Sequence, residues 1–206
     1  MRVLGLQYRV MNMPKKNGRV GLVHVYTGNG KGKTTTALGL ALRALGHGYK
    51  VYMIQLLKGG NHMGEVIASK TLLEGFTVKQ FGKACPYSEE MSKGTIECGN
   101  CRDCFLTRKE EKEKALEAVD HAEKIVRSGK YDVVIIDEIN NALHRRLVPL
   151  DRVVKLVKGR KKKTELILTG RNAPKGIIEV ADYVTRLDEV KHPFNKAMRV
   201  RRGIDY

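Results

Sequence analysis

Apolar residues along the chain fall into short continuous runs, separated by stretches with three-to-four spacing. That alternation is the signature of buried strands followed by helices. Residues 21–26, 51–57, 76–81, 131–136, 165–169 and 183–187 read as strands. Residues 33–45 are apolar on nearly every side and read as a buried helix, which Gly46 and Gly48 end. Leu116, Val119, Ala122 and Val126 form one stripe on a long helix over residues 106–126, whose charge run at 109–114 is its solvated face. Residues 150–157 and 174–181 read as two further helices. Residues 83–104 lack either period and contain all four cysteines. Continuous apolar strands between helices predict an α/β fold, a mainly parallel sheet with helices on both faces. Ligands of such sheets sit at the carboxyl ends of the strands.

Composition changes this picture little. With 206 residues the chain is long enough for one full domain and a core that needs no disulfides. Its 42% hydrophobic and 30% charged residues exclude a disordered chain. No apolar run approaches the ~18 residues of a membrane span, and the N-terminus lacks the apolar core of a secretory signal. Four cysteines, three of them crowded together, do not form a secreted disulfide scaffold. The expected compartment is the cytoplasm, with no membrane partner. Charge is more informative. The net is +17, and no acidic residue precedes Glu65, whereas Lys and Arg recur from Arg2 onward. A field of that sign attracts polyanions, whether a nucleoside triphosphate, a nucleic acid or an anionic membrane surface, and equally suits a Lys-rich soluble surface.

The strongest local signal is Thr27-Gly28-Asn29-Gly30-Lys31-Gly32-Lys33-Thr34. It follows an expected strand and opens an expected helix, as a phosphate-binding P-loop does. Glycines let backbone N–H groups curl around phosphate oxygens, and the helix N-terminus adds partial positive charge. Lys33 reaches a phosphate, and the Thr34 hydroxyl is placed to ligate Mg²⁺. The usual pattern begins with Gly, where this chain has Thr27. A second signal is Val133-Val134-Ile135-Ile136-Asp137-Glu138, a strand that delivers two carboxylates to its carboxyl end, where P-loop proteins support Mg²⁺. Spacing does not decide which of Asp137 and Glu138 touches the metal. On an extended strand the two point to opposite faces and take different roles.

The chain resembles the P-loop ATP:co(I)rrinoid adenosyltransferases. The resemblance runs from about Val20 to Tyr206, through VYTGNGKGKTTTALGLALRALGHGYKV at 25–51, Gln55 to Gly59 with Gly64-Glu65, VVIIDEINNAL at 133–143, ELILTGRNAP at 165–174, VKHPF at 190–194 and RGIDY at 202–206. Thr27 in place of Gly is itself the family's form. The resemblance implies a RecA-like P-loop NTPase fold, a homodimer, and a reaction in which a corrinoid Co(I) attacks the 5′ carbon of ATP and triphosphate leaves. So strong a nucleophile needs no general base, and the protein's part is positioning and charge stabilisation. On that reading ATP is held by Thr27, Gly28, Asn29, Gly30, Lys31, Gly32, Lys33, Thr34 and Thr35. Mg²⁺ is held by Thr34 and Glu138 with Asp137 near, and Lys33, Thr34 and Glu138 carry the catalysis. The other partners are the corrinoid and a protein electron donor for cobalt. The family's N-terminal segment folds over the active site, so the basic residues 1–19 become a lid before a single domain at 20–206.

The segment 83–104 departs from the better-known members, in which aromatic residues help push the lower axial ligand off cobalt. This chain has no Trp, and Phe81 and Tyr87 are the nearest substitutes. It carries Cys85-x12-Cys98-x2-Cys101-x2-Cys104 instead, the right count of thiolates for Zn²⁺ or an Fe–S cluster, with reduced free thiols as the alternative. His62, Met63 and Arg171 lie near the expected ligand edge, while His24 and His192 read as structural. Two alternatives compete. A nucleoside kinase with a zinc lasso would need paired CxxC motifs and a carboxylate base. An ATP-dependent nucleic-acid-binding protein would use the +17 charge but needs a stacking platform that 6% aromatics hardly supplies. No nucleic-acid partner is expected.

Overall fold

The computed structural model describes residues 20–99, 101, 103–191 and 200–206. Expectations for the lid at 1–19 and for His192 lie outside them. Six strands form one parallel sheet: β1 (Val23–Thr27), β2 (Val51–Leu56), β3 (Phe76–Phe81), β4 (Val133–Asp137), β5 (Glu165–Thr169) and β6 (Tyr183–Arg186). Their order is β3-β2-β4-β5-β1-β6. β5 therefore separates β1, which leads into the P-loop, from β4, which carries the acid pair. The register sets Gln55 of β2 beside Asp137 of β4.

Every side chain of β2 and β4 is buried. Alternate residues of these strands feed two cores, one on each face. Ala37 and Ala41 of α1 (Lys33–Gly46) cover Met53, Ile135 and Ile167 on one face. Ala115, Val119, Ala122 and Val126 of α4 (Arg108–Ser128) cover Ile54, Val134 and Ile136 on the other. The small residues of α1 and α4 let the helices approach the sheet closely. Ile135 is fully buried. Ile135→Ala is expected to cost about 3 kcal/mol and lower Tm by about 10 °C in a thermal melt, because the flanking strands cannot collapse into the space.

The long helix starts at Arg108, two residues later than expected from the sequence, because Thr107 and Glu110 form a reciprocal capping box there. Three short helices carry too little periodicity to be read from sequence: α2 (Gly64–Thr71), α3 (Ser88–Lys93) and α5 (Ile139–His144). α6 (Leu150–Lys158) matches its expected span, whereas α7 (Lys175–Ile178) is shorter than 174–181. Among the described residues no helix is long and apolar enough to cross a membrane.

Candidate active site

The P-loop rests on the end of β6. Gly30 N–H donates to the Leu187 carbonyl at 2.8 Å, and Leu187 N–H to the Thr27 carbonyl at 2.8 Å. Gly28 sits at φ 99°, and a Cβ there would lie 2.3 Å from the Leu187 oxygen, so only glycine fits on both counts. Thr27 is buried, and its hydroxyl accepts the Ala173 N–H at 3.1 Å. This explains a threonine where most P-loops begin with glycine: it ties β1 to the segment after β5. Asn29, Gly30, Lys31, Gly32, Lys33, Thr34 and Thr35 line a cavity of about 840 Å³, whereas Thr27 and Gly28 are not among its lining residues.

Lys33 is nearly buried, and its Nζ donates to the Gly30 carbonyl at 2.6 Å. Burial pushes its pKa down, the nearby Arg171 adds to this, and Glu138 and Asp137 oppose it. A desolvated ammonium beside Arg171 is primed for an anion. Lys31 is ion-paired with Asp205 of the C-terminal segment, and Gly203, Ile204, Asp205 and Tyr206 form part of the same cavity wall.

Asp137 is fully buried and saturated with donors. Its Oδ1 accepts from Thr34 Oγ1 at 2.9 Å and Thr169 Oγ1 at 2.5 Å. Its Oδ2 accepts from Lys58 Nζ at 2.8 Å and Gln55 Nε2 at 3.3 Å. The expectation that Glu138 continues the extended strand is corrected here. β4 ends at Asp137, and Glu138 is left-handed at φ 63°, the residue before α5. That conformation costs an L residue roughly 1–2 kcal/mol. It turns the carboxylate into the cavity rather than onto the opposite sheet face. Burial raises the Glu138 pKa, the Asp137 charge adds to this, and Lys58, a hydrogen bond from Asn141 and Lys33 counteract it.

A second cavity, of about 850 Å³, adjoins the first. Lys58, Met63, Glu138 and Asn141 line both. Burial opposes the charge on Lys58, but Asp137 through its charge and hydrogen bond, then Glu65 and Glu138, outweigh it and hold the pKa above its ordinary value. Phe81 and His62 line the second cavity, whereas Tyr87 does not and is instead hydrogen-bonded to Asp103. Arg171 lines the phosphate cavity. His24 is engaged elsewhere, bonded to Glu165 at 2.5 Å and stacked on Tyr183, as a structural histidine would be.

Sequence reasoning assigned no role to Lys58, Asn141 or Asp205. Each lay inside a stretch already marked, and the missed signal was position: Lys58 just beyond β2, Asn141 one helical turn past Glu138, Asp205 near the C-terminus.

His62 is 6% exposed; its Nδ1 pairs with Ser88 Oγ at 3.2 Å, and its Nε2 has no partner among the described residues. Burial lowers its pKa from 6.5 against the pull of Glu65, and burial lowers that of His121 too, with Lys79 and Lys124 adding to it. The unfolded chain therefore takes up protons first as pH falls. The stability these rings contribute is complete above pH 6.5 and is lost as pH falls through their folded values. Urea midpoints between about pH 7 and about pH 5 should fall, with a shallower slope in His62→Asn.

All four cysteines are free thiols, half-buried at Cys85 and Cys98 and exposed at Cys101 and Cys104. Among the described residues no three His, Cys, Asp or Glu side chains are grouped as they must be to hold a single metal ion.

A glycine-rich loop between β1 and α1, a lysine and a threonine at its end, and an acid pair at the tip of β4 define a nucleotide-binding α/β protein of the P-loop class. The chain belongs to the ATP:corrinoid adenosyltransferase family. The family model described as ATP:corrinoid adenosyltransferase BtuR/CobO/CobP matches residues 19–206. The corrinoid adenosyltransferase of Escherichia coli (strain K12) is 33% identical over 186 residues, covering 90% of this chain and 86% of that protein. That of a Sinorhizobium species is 33% identical over 196 residues, 94% of this chain and 84% of its own. The Salmonella typhimurium corrinoid adenosyltransferase CobA is 31% identical over 90% of this chain and 86% of its own. Among solved structures, the assembled type III secretion ATPase EscN of enteropathogenic E. coli matches 89% of this chain and 47% of that one, with 16% identity and a TM-score of 0.43.

Proposed function

We infer that the chain transfers the 5′-deoxyadenosyl group of ATP to the Co(I) of a corrinoid and releases triphosphate, in adenosylcobalamin synthesis or corrinoid salvage. The observation that carries the assignment of parts is the meeting of two cavities of similar size at Lys58 and Glu138, one lined by the P-loop and the other more apolar. ATP occupies the P-loop cavity and the corrinoid the second. The cobalt electron pair forms the bond to C5′, the C5′–O bond breaks, and its electrons leave on the triphosphate. Lys31, Lys33, Arg171 and the loop amides stabilise that growing charge. Lys31 exchanges Asp205 for phosphate when ATP enters.

Thr34, Asp137 and Glu138 are hard oxygen donors and fit Mg²⁺. Asp137 is saturated by protein donors, so Glu138 with Thr34 Oγ1 would be the pair to hold the ion, and Asp137 holds Thr34 in place. When bound, Mg²⁺ neutralises the leaving triphosphate. The four cysteines are reserved for a second metal, Zn²⁺ or Fe–S. The working form is a cytoplasmic homodimer, served by a separate low-potential protein that reduces Co(II) to Co(I).

The test is an anaerobic assay with ATP, Mg²⁺ and chemically reduced cob(I)alamin. Decay of the Co(I) band with stoichiometric triphosphate is the expected result. Release of ADP instead, with cobalamin and simpler corrinoids inert, would overturn the assignment and return the kinase and nucleic-acid readings. Sedimentation velocity tests the dimer.

A further inference from the structure

The cysteine-rich segment has no part in the phosphate cradle, yet the fold organises it. Cys85 and Cys98 are separated by a helix of their own, α3, and Cys101 and Cys104 follow at intervals of three. All four nevertheless line one wall of the second cavity.

Two anchors hold this wall. Cys85 N–H donates to the Gly59 carbonyl at 2.9 Å. Gly59 and Gly82 pack so tightly against the opposite strand end that a Cβ on either would lie within 2.6 Å of backbone in Lys83 or Lys58. The loops after β2 and β3 are thereby locked together, and Cys85 is fixed to them. At the other end, Cys98 N–H donates to Tyr206 Oη at 3.4 Å, and Arg202 reaches the Ser92 carbonyl at 2.6 Å. The segment between has little core of its own. From Gly94 to Thr107 the described residues form no helix or strand, and Phe105 is 66% exposed. Such a stretch is ordered by something other than apolar burial.

The spacing of the thiols discriminates between kinds of metal. Structural zinc sites draw their ligands from paired motifs such as C-x2-4-C. Cysteine-ligated iron–sulfur clusters instead use a C-x2-C-x2-C run with a fourth cysteine remote in sequence. Cys98, Cys101 and Cys104 form such a run, and Cys85, thirteen residues before Cys98, lines the same cavity. Lys58, Lys83, Lys114 and Arg145 line the same cavity against Glu111 and Glu138, and although Lys58, Lys114 and Arg145 are ion-paired, the cations outnumber the acids in the lining, which suits an anionic thiolate cluster. We propose that Cys85, Cys98, Cys101 and Cys104 ligate a four-iron, four-sulfide cluster set in the wall of the second cavity. The cluster deepens the metal reading given above by choosing iron–sulfur over zinc. It stands whether or not the cavity binds a corrinoid.

The test is metal content, which is independent of any transfer activity. The full chain is purified anaerobically and reconstituted with ferrous iron and sulfide, in parallel with Zn²⁺. Expected are about four irons and four labile sulfides per chain, thiolate-to-iron charge-transfer absorption, and a paramagnetic signal after dithionite reduction. Cys98→Ser and Cys101→Ser should lose at least tenfold in bound iron while still binding ATP, which shows that the domain has folded. Cys85→Ser should be similarly depleted. One tightly held zinc per chain that iron does not replace would overturn the proposal. So would a protein without metal under both conditions whose four thiols alkylate at the same rate. If iron binds and no adenosyl transfer is seen, the proposed reaction fails and the cluster remains.

Discussion

Lys33→Ala is expected to lower kcat/KM for ATP by about a thousandfold, with most of the loss in kcat. Removing one preorganised donor to developing charge costs typically 10²–10³ in rate, and Lys33 is more than a neutral donor. It is a nearly buried cation that already bonds the loop carbonyl of Gly30 and stands beside Arg171. Its desolvation disfavours the free state and is relieved when phosphate arrives, and the interaction strengthens as charge moves onto the leaving triphosphate. Removing a cation already held below its ordinary pKa by burial should leave the thermal melt almost unchanged. Steady-state kinetics with varied ATP, alongside a melt, checks both halves. A rise in KM alone would mean that Lys33 binds ground state and transition state equally.

Asp137→Ala should be the more damaging change, because it strikes fold and site together. Four donors converge on this carboxylate, and Lys58, at 2.8 Å, is a cation left without its partner. Stripping one member from a buried pair typically costs 3–5 kcal/mol. Lys58 is 24% exposed against 0% for Asp137, so water screens part of this and about 3 kcal/mol is the expected loss. Thr34 Oγ1 loses its anchor at the same time, so adenosyl transfer should fall below detection. Asp137→Asn separates the two effects. It preserves shape and removes charge, and should recover part of the unfolding free energy in urea without recovering Mg²⁺-dependent ATP binding. Full activity in Asp137→Asn would show that Thr34 needs no anionic partner.

Much of the fold was legible because burial leaves a mark on composition. The strands over residues 51–56 and 133–137 are buried on both faces, so they are nearly all apolar, and a parallel sheet follows. Helix α5 was not legible. Its six residues, INNALH, show no complete apolar turn, and the helix exists because Glu138 adopts a left-handed turn that starts it. The same turn took Glu138 out of the strand alternation expected for Asp137 and Glu138, since alternation holds only while the strand continues.

The phosphate cradle was determined by the sequence alone. Its chemistry resides in contiguous residues, 28 to 34, whose glycines and helix start dictate the local backbone whatever surrounds them. Thr27, Lys58 and Asp205 were decided by the tertiary structure. Thr27 acquires its role from Ala173, Lys58 from Asp137, and Asp205 from Lys31, partners 146, 79 and 174 residues away. Likewise the sequence counted four cysteines, and the lock between Gly59 and Gly82 set Cys85 on the wall with the other three. Local chemistry is written in consecutive residues. Contacts between distant residues depend on how the sheet orders its strands, which no local pattern encodes.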